Sequence, residues 1–131
     1  VAGLATKLKD FGQEEEAIIL FERAMRLSPK HPWSVPSGYG VALHLVGRKE
    51  EAVASFKRAI ALKDNHVHPH AFLAAAYADL DRIDEAESAA NEVILLNPMF
   101  SATRFMQSHT LHDPERDRFF IELLIRIGLP E

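Results

Sequence analysis

Histidine is the residue type in this 131-residue sequence whose spacing first suggests chemistry. The stretch HVHPH places His66, His68 and His70 two residues apart, while His109 and His112 stand three apart and could share one helix face. Imidazole nitrogens bind zinc and nickel, so either cluster could hold a metal ion. However, no cysteine supports a structural zinc site, and the triplet falls in a predicted loop where solvated histidines are the simpler interpretation. We therefore predict no metal and no cofactor.

Clustered carboxylates are the second candidate for chemistry. Glu14–Glu16 and the set Asp79, Asp81 and Asp84 could serve acid–base catalysis or cation binding. No nucleophile or glycine-rich phosphate loop accompanies them, because SGYG (37–40) matches neither the dinucleotide fingerprint nor the P-loop. Acidic side chains at helix starts explain the clusters, and we predict no catalytic residue.

Composition excludes several other classes of function. The 15 basic and 19 acidic residues give a net charge of −4, which does not suit a nucleic-acid surface. No apolar run approaches the roughly 18 residues of a membrane span. The absence of cysteine is compatible with a reducing compartment, so we expect a cytoplasmic protein.

Three short stretches repeat along the chain: GQEEEA (12–17), GRKEEA (47–52) and DRIDEA (81–86), offset by 35 and then 34 residues. The same register continues downstream of each stretch. The corresponding residues are Ala17, Ala52 and Ala86; Phe21, Phe56 and Ala90; Ala24, Ala59 and Val93; Leu27, Leu62 and Leu96. Apolar residues recur every three or four positions, which predicts helices throughout.

A period of about 34 with this order of small, large and small residues, closed by Pro29 and Pro98, resembles the tetratricopeptide repeat. The resemblance implies an all-α fold, a right-handed superhelical array of antiparallel helix pairs. We expect three units, the first truncated at its start, followed by a C-terminal helical tail. Their bounds are about 1–31, 32–66, 67–98 and 99–131, and the predicted helices span 1–10, 14–27, 35–46, 49–62, 69–80, 83–96, 101–108 and 114–127.

Local residue types agree with paired helices. Small side chains at Ala17, Ala52 and Ala86 permit two helices to approach closely, with bulk supplied opposite them by residues such as Leu8, Leu73 and Tyr77. The turns within pairs carry residues that tolerate a left-handed backbone, and these are Gly12, Gly47 and Asp81.

The tail also resembles a known ending. Its residues Phe100–Ser101, Arg104–Phe105, Asp113–Pro114, Phe119–Phe120 and Gly128–Glu131 are similar to the C-terminal repeat regions of bacterial class III adenylate/guanylate cyclase-like proteins and related multi-domain regulators. The stretch QSHTLHDP departs from them, since relatives usually have a proline before the aromatic position. The resemblance implies a non-catalytic module of a larger regulatory protein.

The first helix of each tetratricopeptide pair typically lines a concave groove that binds a peptide or helix. By register the predicted groove residues are Ala2, Thr6, Lys9, Ser37, Val41, His44, Ala71, Ala75 and Ala78. The alanines would make this groove shallow and smooth, and it lacks the Lys, Arg and Asn clamp that would hold an acidic C-terminus. Two alternatives are that the alanines serve packing alone, and that another domain of the same protein fills the groove.

The last predicted helix is apolar around more than half of its circumference. Part of that surface must cover the end of the third repeat, and the rest suggests an interface. We expect a homodimer contact through Phe119, Phe120, Ile121, Leu124 and Ile125, with the alternative that the tail folds back and buries both faces. The sequence thus predicts a scaffold for a protein or peptide partner or, alternatively, a homodimerisation module, with no role in binding nucleic acid or membranes.

Overall fold

The structure, a computed structural model, describes residues 2, 3, 5 and 13–131. Within these residues it contains helices and no strand, so the all-α prediction is confirmed. Ala2, Gly3 and Ala5 are helical. The seven complete helices among the described residues are α1 (Glu14–Leu27), α2 (Ser34–Leu45), α3 (Lys49–Leu62), α4 (Val67–Asp79), α5 (Ile83–Leu96), α6 (Ala102–Ser108) and α7 (Pro114–Arg126).

The helices fall into two compact units, Val1–Asp64 and Asn65–Glu131. In the first unit α2 packs against both α1 and α3. In the second unit α4 packs against α5 and α7, and α7 also packs against α6. The tail helices therefore share a core with the helix pair that precedes them.

Most helix boundaries follow the sequence signals. The bounds predicted for 14–27, 49–62 and 83–96 coincide with α1, α3 and α5, each of which has acidic residues in its first turn where the helix dipole favours them. In contrast, α4 begins at Val67 rather than at 69, because Pro69 lies within the first turn, where a missing N–H is tolerated. The predicted helix 1–10 includes residues outside the described part of the chain. Leu8 and Gly12, for which packing and turn roles were predicted, also lie outside it.

The turns after α2, α4 and α7 share one left-handed motif. Gly47, Asp81 and Gly128 have φ angles of 88°, 58° and 98°. The next residue then donates a backbone hydrogen bond back into the helix, as from Arg48 N to Leu43 O at 2.9 Å and from Arg82 N to Tyr77 O at 2.9 Å. The predicted turn roles of Gly47 and Asp81 are confirmed by these conformations.

In the first unit, two phenylalanine rings lie directly on helix backbone. A Cβ added at Gly38 would lie 2.8 Å from Phe21 Cζ, and one added at Gly40 would lie 2.6 Å from Phe56 Cε1. Such distances leave no room for a methyl group. Both rings are almost completely buried, so the glycines of α2 let the core rings of α1 and α3 approach its backbone.

In the second unit, small residues line the helix pair and aromatic residues connect it to the tail. Ala86 and Ala90 of α5 are buried, and residues 69–78 of α4 are buried throughout. The ring of Phe72 lies 5.3 Å from that of Phe105 and 5.3 Å from that of Phe120, the second in an edge-on arrangement. These rings join α4, α6 and α7 in one apolar core.

Candidate protein interaction site

Helix α7 has two faces with different surroundings. Phe120, Leu123 and Leu124 are buried on the face toward α4, each at most 7% exposed. Phe119 and Ile125 lie on other sides of the helix and are 44% and 37% exposed. Their accessibility makes the outward part of α7 the first candidate surface for a partner.

This arrangement corrects part of the predicted dimer contact. Phe120 and Leu124 are only 1% exposed, because they belong to the core of their own chain. They cannot contribute area to an interface while the tail stays folded. Phe119, Ile121 and Ile125 keep exposed surface, so only these three of the five predicted residues remain candidates.

The outward face of α7 and the neighbouring face of α6 form a groove of about 840 Å³, which we call the tail groove. Met106 is buried at the groove, while Ile121 and Ile125 supply partly exposed apolar surface. All of its lining residues belong to the second unit: Thr103, Met106, Gln107, Thr110, Pro114, Asp117, Arg118, Ile121, Glu122, Ile125 and Glu131. An apolar floor with polar sides is the usual character of a surface that receives a protein segment.

One end of the tail groove is held by hydrogen bonds across the loop between α6 and α7. The carboxylate of Asp117 accepts from the Thr110 hydroxyl and, at 2.9 Å, from the backbone N–H of Leu111. Asp113 caps α7 by accepting from the N–H groups of Glu115 and Arg116 at 3.0 and 3.4 Å. These bonds fix the position at which α7 begins beside α6.

The other end is held by the last residues of the sequence. The carbonyl oxygen of Pro130 accepts from Ala102 N at 2.8 Å, and that of Glu131 accepts from Thr103 N at 2.9 Å. The Ser101 hydroxyl also donates to Glu131 O at 2.8 Å. The first N–H groups of α6 thereby find acceptors, and the two sides of the tail groove are connected.

Charged groups line the tail groove unevenly. Arg118 and Glu122 are exposed, and neither has a hydrogen bond or ion pair with any other residue in the described part of the chain. Asp117 and Glu131 add negative charge, so acidic groups outnumber basic ones in the lining. The tail groove therefore disfavours an acidic peptide.

The side chains predicted to line the concave groove are less accessible than the sequence suggests. The six predicted residues of α2 and α4 are all buried, at 5% exposed or less: Ser37, Val41, His44, Ala71, Ala75 and Ala78. The side chains of the α4 alanines are so short that neighbouring atoms cover them completely. These alanines therefore offer a partner no accessible surface. Ala2 is partly exposed, whereas Thr6 and Lys9 lie outside the described residues. Partner binding at the concave groove stays a prediction, but these six side chains offer it almost no exposed area.

The histidines form ring contacts that the sequence analysis missed. His68 lies in the first turn of α4, not in a loop, and its ring is 5.0 Å from that of His109. His68 also packs 4.8 Å from Phe72, and His109 packs 4.7 Å from Phe105. No group of three or more possible metal ligands occurs among the residues that the structure describes. Because 41 positions separate the two histidines, only the fold could bring them together.

Two acidic residues in the first turns of α3 and α5, Glu51 and Glu85, pair with basic side chains. Arg48 donates to Glu51 at 2.9 and 2.5 Å, and this bond lowers the pKa of the exposed Glu51 carboxyl. Arg82 and Glu85 make the same i,i+3 pair one repeat later. Both carboxylates thus take part in ion pairs at the start of their own helix.

Buried and partly buried polar contacts occur in both units. In the first, Tyr39 donates to Glu22 Oε2 at 2.9 Å, and burial together with this bond raises the pKa of Tyr39 to about 12. In the second, Arg126 donates to the Ala78 carbonyl at 3.3 Å and to the Asp81 carboxylate. Arg126 thus joins the end of α7 to the end of α4.

No described helix is both long and apolar enough to cross a membrane.

Comparison with known proteins gives a consistent result. The family model described as tetratricopeptide repeat matches residues 4–31, 38–66 and 68–98. No curated protein matches. The second such domain of human RPAP3, solved in complex with the HSP70 peptide SGPTIEEVD, is similar at a TM-score of 0.68 and 20% identity, over 90% of this chain and 83% of that one.

Two further solved structures share the fold. MamA is similar at a TM-score of 0.73 and 18% identity, over 96% of this chain and 75% of that one. A tetratricopeptide repeat protein from Parabacteroides merdae is similar at a TM-score of 0.69 and 19% identity; the match covers 97% of this chain but half of that one. At these identities the likeness concerns the fold alone.

Proposed function

Because this chain belongs to the tetratricopeptide repeat family, we propose that it is a non-catalytic scaffold for protein–protein interaction. The family match confirms the predicted repeats, and proteins with this fold typically bind other proteins rather than catalyse reactions. Division into units 1–31, 32–66 and 67–98 with a tail at 99–131 stays a prediction. The partner is a protein or peptide, and we propose neither a cofactor nor a nucleic-acid or membrane ligand.

The observation that carries this proposal is the tail groove. Ile121 and Ile125 expose apolar surface beside buried Met106, in a groove of about 840 Å³. Burying such surface against a partner stabilises a complex by about 25 cal/mol for each Å² removed from water. An apolar segment with basic or neutral flanks suits this lining. An acidic peptide such as the one bound by the RPAP3 domain does not, because Asp117, Glu122 and Glu131 would repel it.

The larger protein is proposed to be a bacterial regulator, with a class III nucleotide cyclase-like protein as the specific candidate. Support comes from the resemblance of the tail, in particular Phe100–Ser101, Asp113–Pro114 and Gly128–Glu131. In such a protein the chain would be a cytoplasmic regulatory module. The proposal of this parent rests on the resemblance alone, and the interaction site proposed for the chain does not depend on it.

A second candidate function is homodimerisation. Phe119 and Ile125 are more than one third exposed on the last helix, which is where a module that joins two regulatory domains would expose apolar surface. Dimerisation would bring two attached domains together and would itself be a regulatory activity.

The scaffold proposal is tested by quantitative capture with the purified chain and two matched variants. Ile125→Asp places a charge in the tail groove, and Leu95→Asp places the same charge on α5, where Leu95 is 74% exposed. A protein retained by the original chain is identified, purified and titrated by calorimetry. We expect Ile125→Asp to weaken its binding about tenfold or more, because a charge would be buried at the contact, and Leu95→Asp to leave it unchanged.

Two results would contradict the proposal. One is that no protein, including a further copy of the chain, is retained in stoichiometric amounts. The other is that every retained protein binds Ile125→Asp and the original chain with equal affinity, which would remove the tail groove as the carrier of the function.

A further inference from the structure

The outward face of α7 carries a pair of opposite charges that nothing in the described chain satisfies. Arg118 and Glu122 stand four residues apart and are both exposed. Neither makes an ion pair with another described residue, whereas Arg116 and Arg126 on the same helix are each paired, with Asp113 and Asp81. Both of these side chains line the tail groove beside its apolar surface.

A face with this pattern is complementary to itself. If two copies of α7 lie antiparallel about a twofold axis at the level of residue 120, Arg118 of each copy faces Glu122 of the other. The two residues lie on the same flank of the helix, and the axis keeps that flank on the same side in both copies. The contact therefore contains two identical ion pairs, about 6 Å apart along the helix.

The apolar residues fit the same axis. Ile121 lies close to it and would meet Ile121 of the second copy, while Ile125 would meet Pro114, which is exposed at the start of α7. The tail groove lies between α6 and α7, so an α7 seated in it contacts both helices. Two copies would then form a four-helix arrangement of α6 and α7 from each chain, with the isoleucines inside.

We propose that the tail groove binds α7 of a second copy of this chain, antiparallel and related by a twofold axis, with Arg118 and Glu122 pairing across the interface. The proposal rests on the proposed interaction function and names its partner as the chain itself. An unrelated helix could supply apolar surface to the same groove. Only a second copy is guaranteed to present an acid where this face has a base and a base where it has an acid.

The decisive experiment exchanges charges between two variants and measures mass by sedimentation equilibrium over a range of concentrations. Arg118→Glu gives a face with two acidic groups, and Glu122→Arg gives one with two basic groups. In either homodimer two like-charged pairs replace two ion pairs. We expect each variant alone to dissociate about tenfold more readily than the original chain.

Mixing the two variants in equal amounts restores both pairs across the interface. We expect a heterodimer whose affinity returns to within about threefold of the original dimer. Its gain in affinity over the two variant homodimers should decrease as salt is added, because salt screens the ion pairs. The control is Glu92→Arg, which changes net charge as Glu122→Arg does but lies on the exposed side of α5. It should leave the dimer unchanged. Circular dichroism confirms that all variants keep their helices.

The outcomes separate this proposal from the scaffold function. A chain that stays monomeric up to millimolar concentration overturns the dimer, while a foreign protein captured through Ile125 would leave the scaffold function standing. A dimer that ignores both charge reversals overturns the antiparallel contact and leaves self-association by another surface. A mixture no tighter than either variant alone overturns the pairing of Arg118 with Glu122.

Discussion

The helix pairs α2–α3 and α4–α5 occupy equivalent positions in successive repeats, but they distribute side-chain volume in opposite ways. In the first pair Gly40 stands beneath the ring of Phe56. Thirty-four residues later the corresponding positions hold Ala74 and Ala90, both buried. A phenylalanine ring packed on a glycine in the first pair, and buried alanines at both positions in the second, each permit close approach of the two helices.

In the second unit the large side chains lie between the helix pair and the tail, rather than within the helix pair. Phe72 stands where the first pair has Gly38, and its ring packs against Phe105 of α6 and Phe120 of α7. The second unit therefore completes its aromatic core with residues from outside the repeat. Helix α7 must stay attached for that core to persist, so only its outward face is available to a partner.

The largest expected effect comes from breaking the aromatic core of the second unit. Phe120→Ala should lower the free energy of unfolding by about 3–5 kcal/mol, because it removes a ring that is 1% exposed and leaves a cavity beside Phe72. The matched control is Phe119→Ala at the adjacent, 44% exposed position, which should cost less than about 1 kcal/mol. Both are measured by urea unfolding. Equal losses would mean that the tail does not complete the core.

A smaller effect is expected from giving the first pair a side chain like that of the second. Gly40→Ala should lower stability by about 1–3 kcal/mol, although alanine favours helix, because the added methyl group meets the fully buried ring of Phe56 at 2.6 Å. Urea unfolding again provides the measurement.

The double variant Gly40→Ala with Phe56→Ala copies the small-residue pair of α4–α5 and serves as the test of coupling. Its loss should be smaller than the sum of the two single losses, since the second substitution removes the clash created by the first. A Gly40→Ala protein as stable as the original would show that the two pairs tolerate the same residues.

The smallest effect concerns a hydroxyl at a position where the first pair has tyrosine and the second pair has leucine. Tyr39 donates to Glu22, whereas the equivalent residue of the second pair is Leu73. Tyr39→Phe should cost about 1 kcal/mol or less near neutral pH. The raised pKa of about 12 means that the native state favours the protonated phenol. Its contribution is thus fully present below pH 10 and is lost as pH rises toward 12.

The measurement for Tyr39 is the urea midpoint at pH 9 and at pH 11. The original chain should lose more stability between these values than Tyr39→Phe, and Tyr77→Phe provides the control for removing a hydroxyl from the second unit. If the original chain and the Tyr39→Phe variant decline equally, the hydrogen bond to Glu22 does not contribute to the native state's preference for the phenol.

Much of the fold followed from local signals in the sequence. Acidic first turns and the left-handed residues Gly47 and Asp81 located the helix starts and turns, because each acts on neighbouring backbone groups. A helical wheel also showed that α7 is apolar on more than one side. It could not show which side is covered, since Phe72, the contact that buries Phe120, lies 48 positions away.

The same limit applies to exposure and to contacts at the candidate sites. Register placed Ala71, Ala75 and Ala78 on one face of α4, but whether that face is open depends on every helix around it, and all three are buried. The contact between His68 and His109 likewise joins two distant stretches and has no local signature. Periodicity describes one helix at a time, whereas a binding surface is what remains after all helices have packed.

Asp81 differs from the other two left-handed turn residues in having a side chain. Gly47 and Gly128 adopt their positive φ angles without a side-chain clash, while Asp81 holds 58° at a cost of about 1 kcal/mol. Its carboxylate also accepts from Arg126 at the end of α7. A glycine at this position would form an equally good turn but could not accept a hydrogen bond from Arg126, which helps to position the last helix. The residue that departs from the glycine of the other turns is thus the one whose side chain holds the tail helix in place.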